Sequence, residues 1–106
     1  MTYNVVSTAE FDAALNEALA YRIDARGKQS ARRLLEDVEG QSNLLTTTPR
    51  MGALVNQSEE NPAPDSLRWI RMDSYIAVYR VHDEKCLVVL EKLFYATTNW
   101  RRRVCG

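Results

Sequence analysis

Arginine and aromatic side chains in the second half of the sequence are the groups best suited to binding chemistry. Arg68 and Arg80 fall on separate predicted strands, and Arg71 points to the opposite face of its strand from Arg68. A guanidinium group can bind a phosphate or a carboxylate through two hydrogen bonds, and nearby aromatic rings can stack on bases. The predicted target-binding set is Arg68, Arg71, Arg80, Trp100, Arg101, Arg102 and Arg103. The alternative interpretation is a set of surface arginines whose stems cover aromatic rings.

Motifs of the common catalytic and metal-binding classes are absent from the sequence. It has no glycine-rich phosphate loop, nucleophile elbow, HExxH helix or paired-cysteine motif. Cys86 and Cys105 lack CxxC spacing and His82 is the only histidine, so we expect no cofactor, no metal site and no disulfide framework. Among the acidic residues of the strand region, only Glu91 lies within a predicted strand. It is predicted to be a rim charge, or alternatively a general base or a partner-binding carboxylate.

Length and composition favour one compact domain over residues 1–106. The chain of 106 residues is 45% hydrophobic, which is enough for one core but not for a second. No run approaches the ~18 consecutive apolar residues of a membrane span, and the first residues lack a signal-peptide pattern. We therefore expect a soluble, cytoplasmic protein that does not contact a membrane.

Charge is divided unevenly along the chain, although the net charge is zero. Residues 1–65 carry six Lys and Arg against ten Asp and Glu, whereas residues 66–106 carry eight against four. This division predicts a positive surface on the second half, suited to an acidic protein segment or to a phosphate backbone. An ordinary scatter of solvated charges is the alternative.

The spacing of apolar residues predicts a short strand and two helices in the first half. Ser7 followed by Glu10 is a capping-box pattern that starts the first helix. One face of this helix carries Phe11, Ala14, Leu15, Ala18, Leu19 and Arg22. Gly27 separates it from a second helix that ends before Pro49. The apolar stripe of the second helix is formed by Ala31, Leu34, Leu35, Val38 and Leu45.

The apolar period changes from 3.6 to 2 after a polar loop at residues 56–66. Strands are predicted over residues 67–72, 75–81 and 86–95, with turns at 73–74 and 82–85. The last run is the most continuously apolar, so we expect a central strand there, with Cys86 as a small buried residue. The expected fold is α+β: an N-terminal strand and a helical hairpin packed on a three- to four-stranded, mostly antiparallel sheet.

Several short motifs follow one another between residues 45 and 100. They are Leu-x3-Pro-x-Met-Gly at 45–52, Leu-Arg at 67–68, Tyr-Ile-Ala-Val-Tyr-Arg-Val-His-Asp-Glu at 75–84, Val-Val-Leu-Glu-Lys-Leu-Phe-Tyr at 88–95 and Asn-Trp at 99–100. In these motifs and in its order of elements the chain resembles the toxin subunits of the ParE/RelE superfamily of bacterial toxin–antitoxin pairs. The resemblance covers nearly the whole chain and implies the strand, helix, helix, strands order already expected.

The resemblance implies one of two activities. RelE-like members are ribosome-dependent messenger RNA endonucleases that use spread basic residues and often a C-terminal tyrosine or histidine, whereas ParE-like members bind and poison DNA gyrase. Here Ile76 and the Ala-Thr-Thr segment at 96–98 stand where RelE-like proteins place basic residues. The resemblance therefore implies a ParE-like binding inhibitor, with Arg68, Arg80 and the 100–103 segment marking its working surface.

Two alternatives stay open, and with them the question of whether the chain is an enzyme. One is a RelE-like RNase that acts on ribosome-bound messenger RNA, with Arg68, Arg80 and Tyr95 near the scissile phosphate. The other is a member of the superfamily that only binds its partner.

A cognate antitoxin is the further partner that the resemblance implies. Its C-terminal segment is expected to wrap the helical hairpin and the sheet in a toxin–antitoxin hetero-oligomer that inhibits the toxin. The residues predicted to contact it are Phe11, Leu15, Leu34 and Val38.

Overall fold

The computed structural model describes residues 2–58 and 60–105, and it has the predicted α+β architecture. The strands are β1 (Asn4–Ser7), β2 (Ala53–Leu54), β3 (Arg68–Met72), β4 (Tyr75–His82) and β5 (Leu87–Tyr95). The helices are α1 (Ala9–Arg26), α2 (Lys28–Leu45) and α3 (Trp100–Cys105), and a single 3₁₀ turn spans Asp83–Lys85. Within the described residues, none of the helices has both the length and the apolar character needed to cross a bilayer.

The sheet has five strands in the order β1-β5-β4-β3-β2, one more than the largest number predicted. The additional strand is β2, which pairs with β3 through only two residues, too few for a period-two pattern to appear in the sequence. β1 runs parallel to β5, with Asn4 opposite Leu87, and all other pairs are antiparallel. Both β4 and β5 are therefore interior strands, as expected for the apolar run at 86–95.

The first helix begins one residue later than the capping-box pattern predicts. Thr8 is the N-cap: its side-chain oxygen accepts a hydrogen bond from the Phe11 backbone N–H at 3.1 Å, whereas Ser7 is the last residue of β1. Gly27 separates the helices as predicted, with a φ of +90° that a residue with a side chain adopts rarely. The second helix ends at Leu45, ahead of Pro49.

Each face of the sheet has its own hydrophobic core. The helical hairpin covers one face, where Phe11, Leu34, Leu45 and Tyr79 belong to the main cluster. The other face carries a smaller cluster of buried residues, Val55, Ile76, Val78 and Trp100. The segment that starts at Trp100 is therefore a short helix docked on the sheet, since burying the indole ring removes a large apolar surface from water.

The turn before β5 differs from its prediction. Cys86 does not begin the strand as a buried residue: it is half-buried, has a φ of 48° and ends the 3₁₀ turn. His82, predicted in the turn, is instead the last residue of β4, opposite Leu87. The turn at 73–74 is confirmed, with Asp73 in the left-handed region at a φ of 57°.

Candidate functional site

Basic and aromatic side chains share the sheet face that α3 covers, which we call the basic face. Arg71 lies opposite Ile76 and Lys92 lies opposite Val78, and both apolar partners belong to the smaller core. Because directly opposed residues point to one side of a sheet, both cations project on this face. Its charged and aromatic members are Trp69, Arg71, Arg80, Lys92, Phe94, Trp100 and Arg101. Four residues of the predicted target-binding set therefore do lie together.

Arg101 is held in place by two indole rings. Its guanidinium carbon lies 5.5 Å from the centre of the Trp69 ring and 4.9 Å from that of Trp100. It also donates a 3.1 Å hydrogen bond to the backbone carbonyl of Val55. The guanidinium thus joins α3 to the segment that follows β2, and its stem and plane are used for packing.

Arg80 is paired because β5 contains a bulge. Tyr79 lies opposite Leu90 but Val78 lies opposite Lys92, so Glu91 is the extra residue. A bulge re-aims the side chain of the extra residue. Arg80 Nε lies 3.0 Å from the Glu91 carboxylate, and its Nη1 donates to the Asp65 carbonyl at 3.0 Å. Arg80 therefore carries an ion pair on the basic face and also fixes the end of the 56–66 loop, and Glu91 is a paired rim charge.

The exposed cations on this face and on α3 are Arg71, Arg102 and Arg103, whereas Lys92 is half-buried. Arg71 is exposed and uses its Nε in a 2.9 Å hydrogen bond to the Asp73 carbonyl, which leaves its terminal nitrogens facing solvent. Arg102 and Arg103 are exposed on α3, and within residues 2–58 and 60–105 the structure records no ion pair for either. These three arginines can meet a negatively charged partner without losing an internal bond.

Arg68 belongs to the opposite face, which corrects the expectation that it shares a surface with Arg80. It lies opposite Tyr79, a member of the main core, and donates a 2.8 Å hydrogen bond to the Gly52 carbonyl. The Tyr79 hydroxyl accepts the Gly52 N–H at 2.9 Å, and burial raises the pKa of this phenol. Arg68 and Tyr79 together hold the turn that leads into β2.

The three candidates for RNA cleavage do not converge. Tyr95 lies opposite Tyr75 on the helix-covered face, with the two ring centres 5.3 Å apart. Arg80 is five residues along β4 from Tyr75, about 17 Å, and points to the other face. A scissile phosphate bound at Tyr95 is therefore out of reach of Arg80, while Arg68 is bonded to the Gly52 carbonyl.

The residues predicted to contact an antitoxin lie mostly inside the protein. Phe11, Leu34 and Val38 expose 2%, 0% and 6% of their surface in the main core, and Leu15 is half-buried against it. The physical reason is that the apolar stripes of both helices cover the sheet. Large apolar residues that are exposed on the hairpin are instead Tyr21, Ile23, Leu35 and Leu44.

A buried arginine that sequence reasoning placed only on the apolar stripe joins the hairpin to the sheet. Arg22 exposes 6% of its surface and lies 2.7 Å from the Asp73 carboxylate and 2.7 Å from the Ser74 hydroxyl. A third hydrogen bond, of 3.2 Å, goes to the Ser30 carbonyl. The bond from Arg22 lowers the pKa of Asp73, and the same pair raises the pKa of Arg22. An arginine at an otherwise apolar helix position is the signal that could have revealed this site.

A second charged cluster fixes the turn before β5. Arg50 lies 2.7 Å from the Asp83 carboxylate, which also accepts a 2.8 Å hydrogen bond from the Tyr3 hydroxyl. The hydrogen bond from Arg50 is the main cause that lowers the pKa of Asp83. Arg50 also donates to the Pro64 carbonyl at 3.0 Å, so the cluster joins the N-terminal segment, the turn and the 56–66 loop.

Comparison with known proteins assigns a family to this arrangement. The model for the ParE toxin of the type II toxin–antitoxin system parDE matches residues 5–91. No curated protein sequence matches the chain.

Three solved structures illustrate the similarity in fold. A chain of the chromosomal ParDE system from P. aeruginosa has a TM-score of 0.66 at 17% identity, over 88% of this chain and 95% of that one. The archaeal RelE–RelB complex from Pyrococcus horikoshii OT3 has a chain with a TM-score of 0.58 at 21% identity, over 92% and 98%. A mutant of E. coli toxin RelE in the free state has a TM-score of 0.58 at 17% identity, over 97% and 93%. With the family match over residues 5–91, the chain belongs to the ParE toxin family of type II toxin–antitoxin systems.

Proposed function

We propose that this ParE-family toxin inhibits growth by binding DNA gyrase, and that a cognate antitoxin in the same cytoplasm neutralises it. A protein partner is favoured because the exposed arginines of this surface can bind carboxylates, and the half-buried ring of Trp69 lies beside Arg71 on the same face. Arg71 is exposed on the face that carries Trp69 and Trp100, whose ring centres are 5.5 Å apart, and Arg102 is exposed on α3.

One observation favours this proposal over RNA cleavage: the remaining arginines are already bonded to other groups of the protein. Arg68, Arg80 and Arg101 each donate to a backbone carbonyl, and Arg80 is also paired with Glu91. Stabilising the charge of a phosphoryl transition state needs donors aimed at one point. The side chains of this protein are spread over two sheet faces instead.

A comparison of two cell-free assays tests the target. Purified toxin added to DNA gyrase should block supercoiling and accumulate cleaved DNA, while a translating extract that contains the same toxin should keep its messenger RNA intact. The Arg71→Ala/Arg102→Ala double variant should inhibit gyrase about tenfold less, because both cations are exposed and make no ion pair in the described structure. Arg32→Ala, an exposed change on α2, is the matched control. Message cleavage at ribosomes with normal supercoiling would instead support the RelE-like alternative.

Neutralisation is tested by expression in cells. The toxin alone should stop growth and induce the response to DNA double-strand breaks, and co-expression of the antitoxin encoded beside it should restore growth. The two proteins should also elute together from a sizing column. Normal growth with the toxin alone would indicate a member that only binds its partner.

A further inference from the structure

The turn between β3 and β4, formed by Asp73 and Ser74, is bonded to both helices of the hairpin and to the end of β5. The Asp73 carboxylate and the Ser74 hydroxyl each lie 2.7 Å from a guanidinium nitrogen of Arg22 on α1. The Asp73 backbone N–H donates a hydrogen bond to a carboxylate oxygen of Asp37 on α2. The Ser74 carbonyl accepts the Ala96 N–H at 2.9 Å. The hairpin therefore holds this turn from two sides.

The position of the turn depends on these bonds. Asp73 has a φ of 57°, a left-handed conformation that costs an L-residue free energy and persists where surrounding bonds enforce it. Arg22 is 6% exposed, and two of its three acceptors belong to the turn, the third being the Ser30 carbonyl. Moving the turn would leave a buried guanidinium without acceptors, which is unfavourable.

The Asp73 carbonyl links the turn to the basic face. It accepts a 2.9 Å hydrogen bond from the Nε of Arg71, which is exposed and lies opposite Ile76 of the smaller core. An arginine side chain samples many rotamers in water and loses that freedom when it binds a partner. The bond at Nε orders the side chain in advance while its two terminal nitrogens stay available, so less entropy is lost on binding.

We propose that Asp37 and Arg22 are positioning residues for the basic face: through the 73–74 turn they order Arg71 in the conformation that binds a carboxylate of the target protein. The N–H that Asp37 holds and the carbonyl that Arg71 uses belong to the same residue, Asp73, so a shift of this residue disturbs both bonds. The helix-covered side and the basic face are thereby coupled. This inference rests on the proposed function for the partner of Arg71, whereas the order of the side chain is a property of the free toxin.

Side-chain NMR of the free, isotope-labelled toxin tests the ordering without gyrase. The Arg71 Nε–H group should give a heteronuclear NOE close to that of ordered backbone amides. Asp37→Ala removes the acceptor of the Asp73 N–H and should lower this NOE towards the value of Arg102, an exposed arginine on α3. Glu36→Ala, which removes an exposed carboxylate from the neighbouring position of α2, is the matched control and should leave the NOE unchanged.

A second variant keeps the test decisive if Asp37→Ala fails to fold, which the backbone amide spectrum reports. Ser74→Ala removes one of the three acceptors of Arg22 and leaves the Asp73 carboxylate in place. It should lower the Arg71 NOE in the same direction and keep the native amide spectrum.

A double-mutant cycle in the gyrase supercoiling assay separates positioning from general destabilisation. Asp37→Ala should weaken inhibition about threefold in the wild-type background and cause no further loss in the Arg71→Ala background, because its effect passes through Arg71. A merely structural role would give the same loss in both backgrounds. Glu36→Ala should have no effect in either.

Three outcomes would overturn the proposal. They are an Arg71 side chain that is already mobile in the wild-type toxin, an Arg71 NOE that stays unchanged in the folded variants, and equal losses of inhibition with and without Arg71. Loss of Arg71 order in Asp37→Ala supports the positioning role even if the wild-type toxin leaves gyrase active. That last result would overturn only the proposed target.

Discussion

At the scale of single residues, Arg22 shows how a charge can be part of a hydrophobic stripe. The apolar period of α1 predicts that position 22 faces the sheet, and the structure places it there at 6% exposure. What the period cannot reveal is the partner, because Asp73 lies 51 residues away in a turn of the sheet. A buried guanidinium is tolerated only when its donors are satisfied, and here three acceptors surround it.

The Arg22–Asp73 pair should make stability depend on pH. The folded protein lowers the pKa of Asp73, so its contribution is complete above the ordinary aspartate pKa of about 4 and is lost as pH falls through the lower folded value. Asp73→Asn removes the charge but keeps a residue that tolerates positive φ. It should lower the free energy of unfolding at pH 7 by about 1 to 2 kcal/mol. This loss is smaller than that of a fully buried ion pair, because a third of the carboxylate side chain is exposed to solvent. Urea unfolding at pH 7, 5 and 3 measures both effects. The gap between the two proteins should be smaller at pH 3 than at pH 7, and an equal gap at all pH values would contradict the assignment. Asp24→Asn, an exposed change on α1, is the control.

Two glycines with opposite surroundings give a second prediction. A Cβ at Gly52 would lie 2.5 Å from the Trp69 carbonyl oxygen and 2.7 Å from the Tyr79 hydroxyl, whereas a Cβ at Gly40 would meet nothing within 4 Å. Gly52→Ala should therefore destabilise the protein by about 2 kcal/mol through overpacking. Gly40→Ala, within α2, should stabilise it by about 1 kcal/mol through helix propensity. Thermal unfolding of both variants should move the midpoint in opposite directions, and a harmless Gly52→Ala would show that the turn into β2 can relax.

At the scale of elements, helices and strands with a regular hydrophobic period were predictable from the sequence, whereas short or irregular elements were not. Both helices and the three strands after the loop have a hydrophobic period, and each was found with small shifts of its ends. β2 has two residues and α3 has six with three consecutive arginines, so neither shows a period. The bulge at Glu91 is also invisible in the sequence, since one extra residue in an apolar run leaves the composition unchanged.

The candidate site was predictable from the sequence only in part. Residue types identified Arg71, Arg80, Trp100 and Arg101 as one set, and pairing places them on one face. Strand alternation separates Arg68 from Arg71, but it does not say which of the two shares a face with Arg80 on the next strand. That information comes from the register across each turn.

The start of α1 supplies a prediction at this scale. Thr8→Ala removes the cap on Phe11 N–H and also the 2.8 Å hydrogen bond from the Thr8 hydroxyl to the Glu91 carbonyl. The expected loss is about 2 kcal/mol in the free energy of unfolding. Ser7→Ala should cost less than about 0.5 kcal/mol, since the Ser7 hydroxyl makes only an exposed bond to Asp12. Chemical denaturation of the two variants compares them directly. A larger loss of stability for Ser7→Ala would indicate that Ser7 is the N-cap, as the capping-box pattern predicts.

At the scale of the whole molecule, the sheet is assembled from the two ends of the chain. β1 pairs with β5 across more than 80 residues, while β2 adds to the far edge through β3. The hairpin of helices lies between these strands in sequence and covers the sheet they form. Neither the part before residue 59 nor the part after it has a complete core, because the main cluster takes Phe11 and Leu34 from the first part and Tyr79 and Val88 from the second.

Because the main core is shared between the two parts of the chain, a protein cleaved in the exposed 56–66 loop should remain associated. A protease site introduced after Asn61 would separate β1, both long helices and β2 from β3, β4, β5 and α3. On a sizing column under native conditions, the cut protein should elute at the position of the intact one, because the main core and bonds such as Thr8 to Glu91 hold the pieces together. In 6 M urea, the denaturing reference, the two pieces should separate. Each piece alone should lack cooperative unfolding, because about half of one core cannot offset the conformational entropy of its residues. Mixing the separate pieces should restore the native circular dichroism spectrum. If either piece folded by itself, the interlocked main core inferred from β1–β5 pairing would be wrong, and the hairpin would have to be an independent unit to which the sheet is attached.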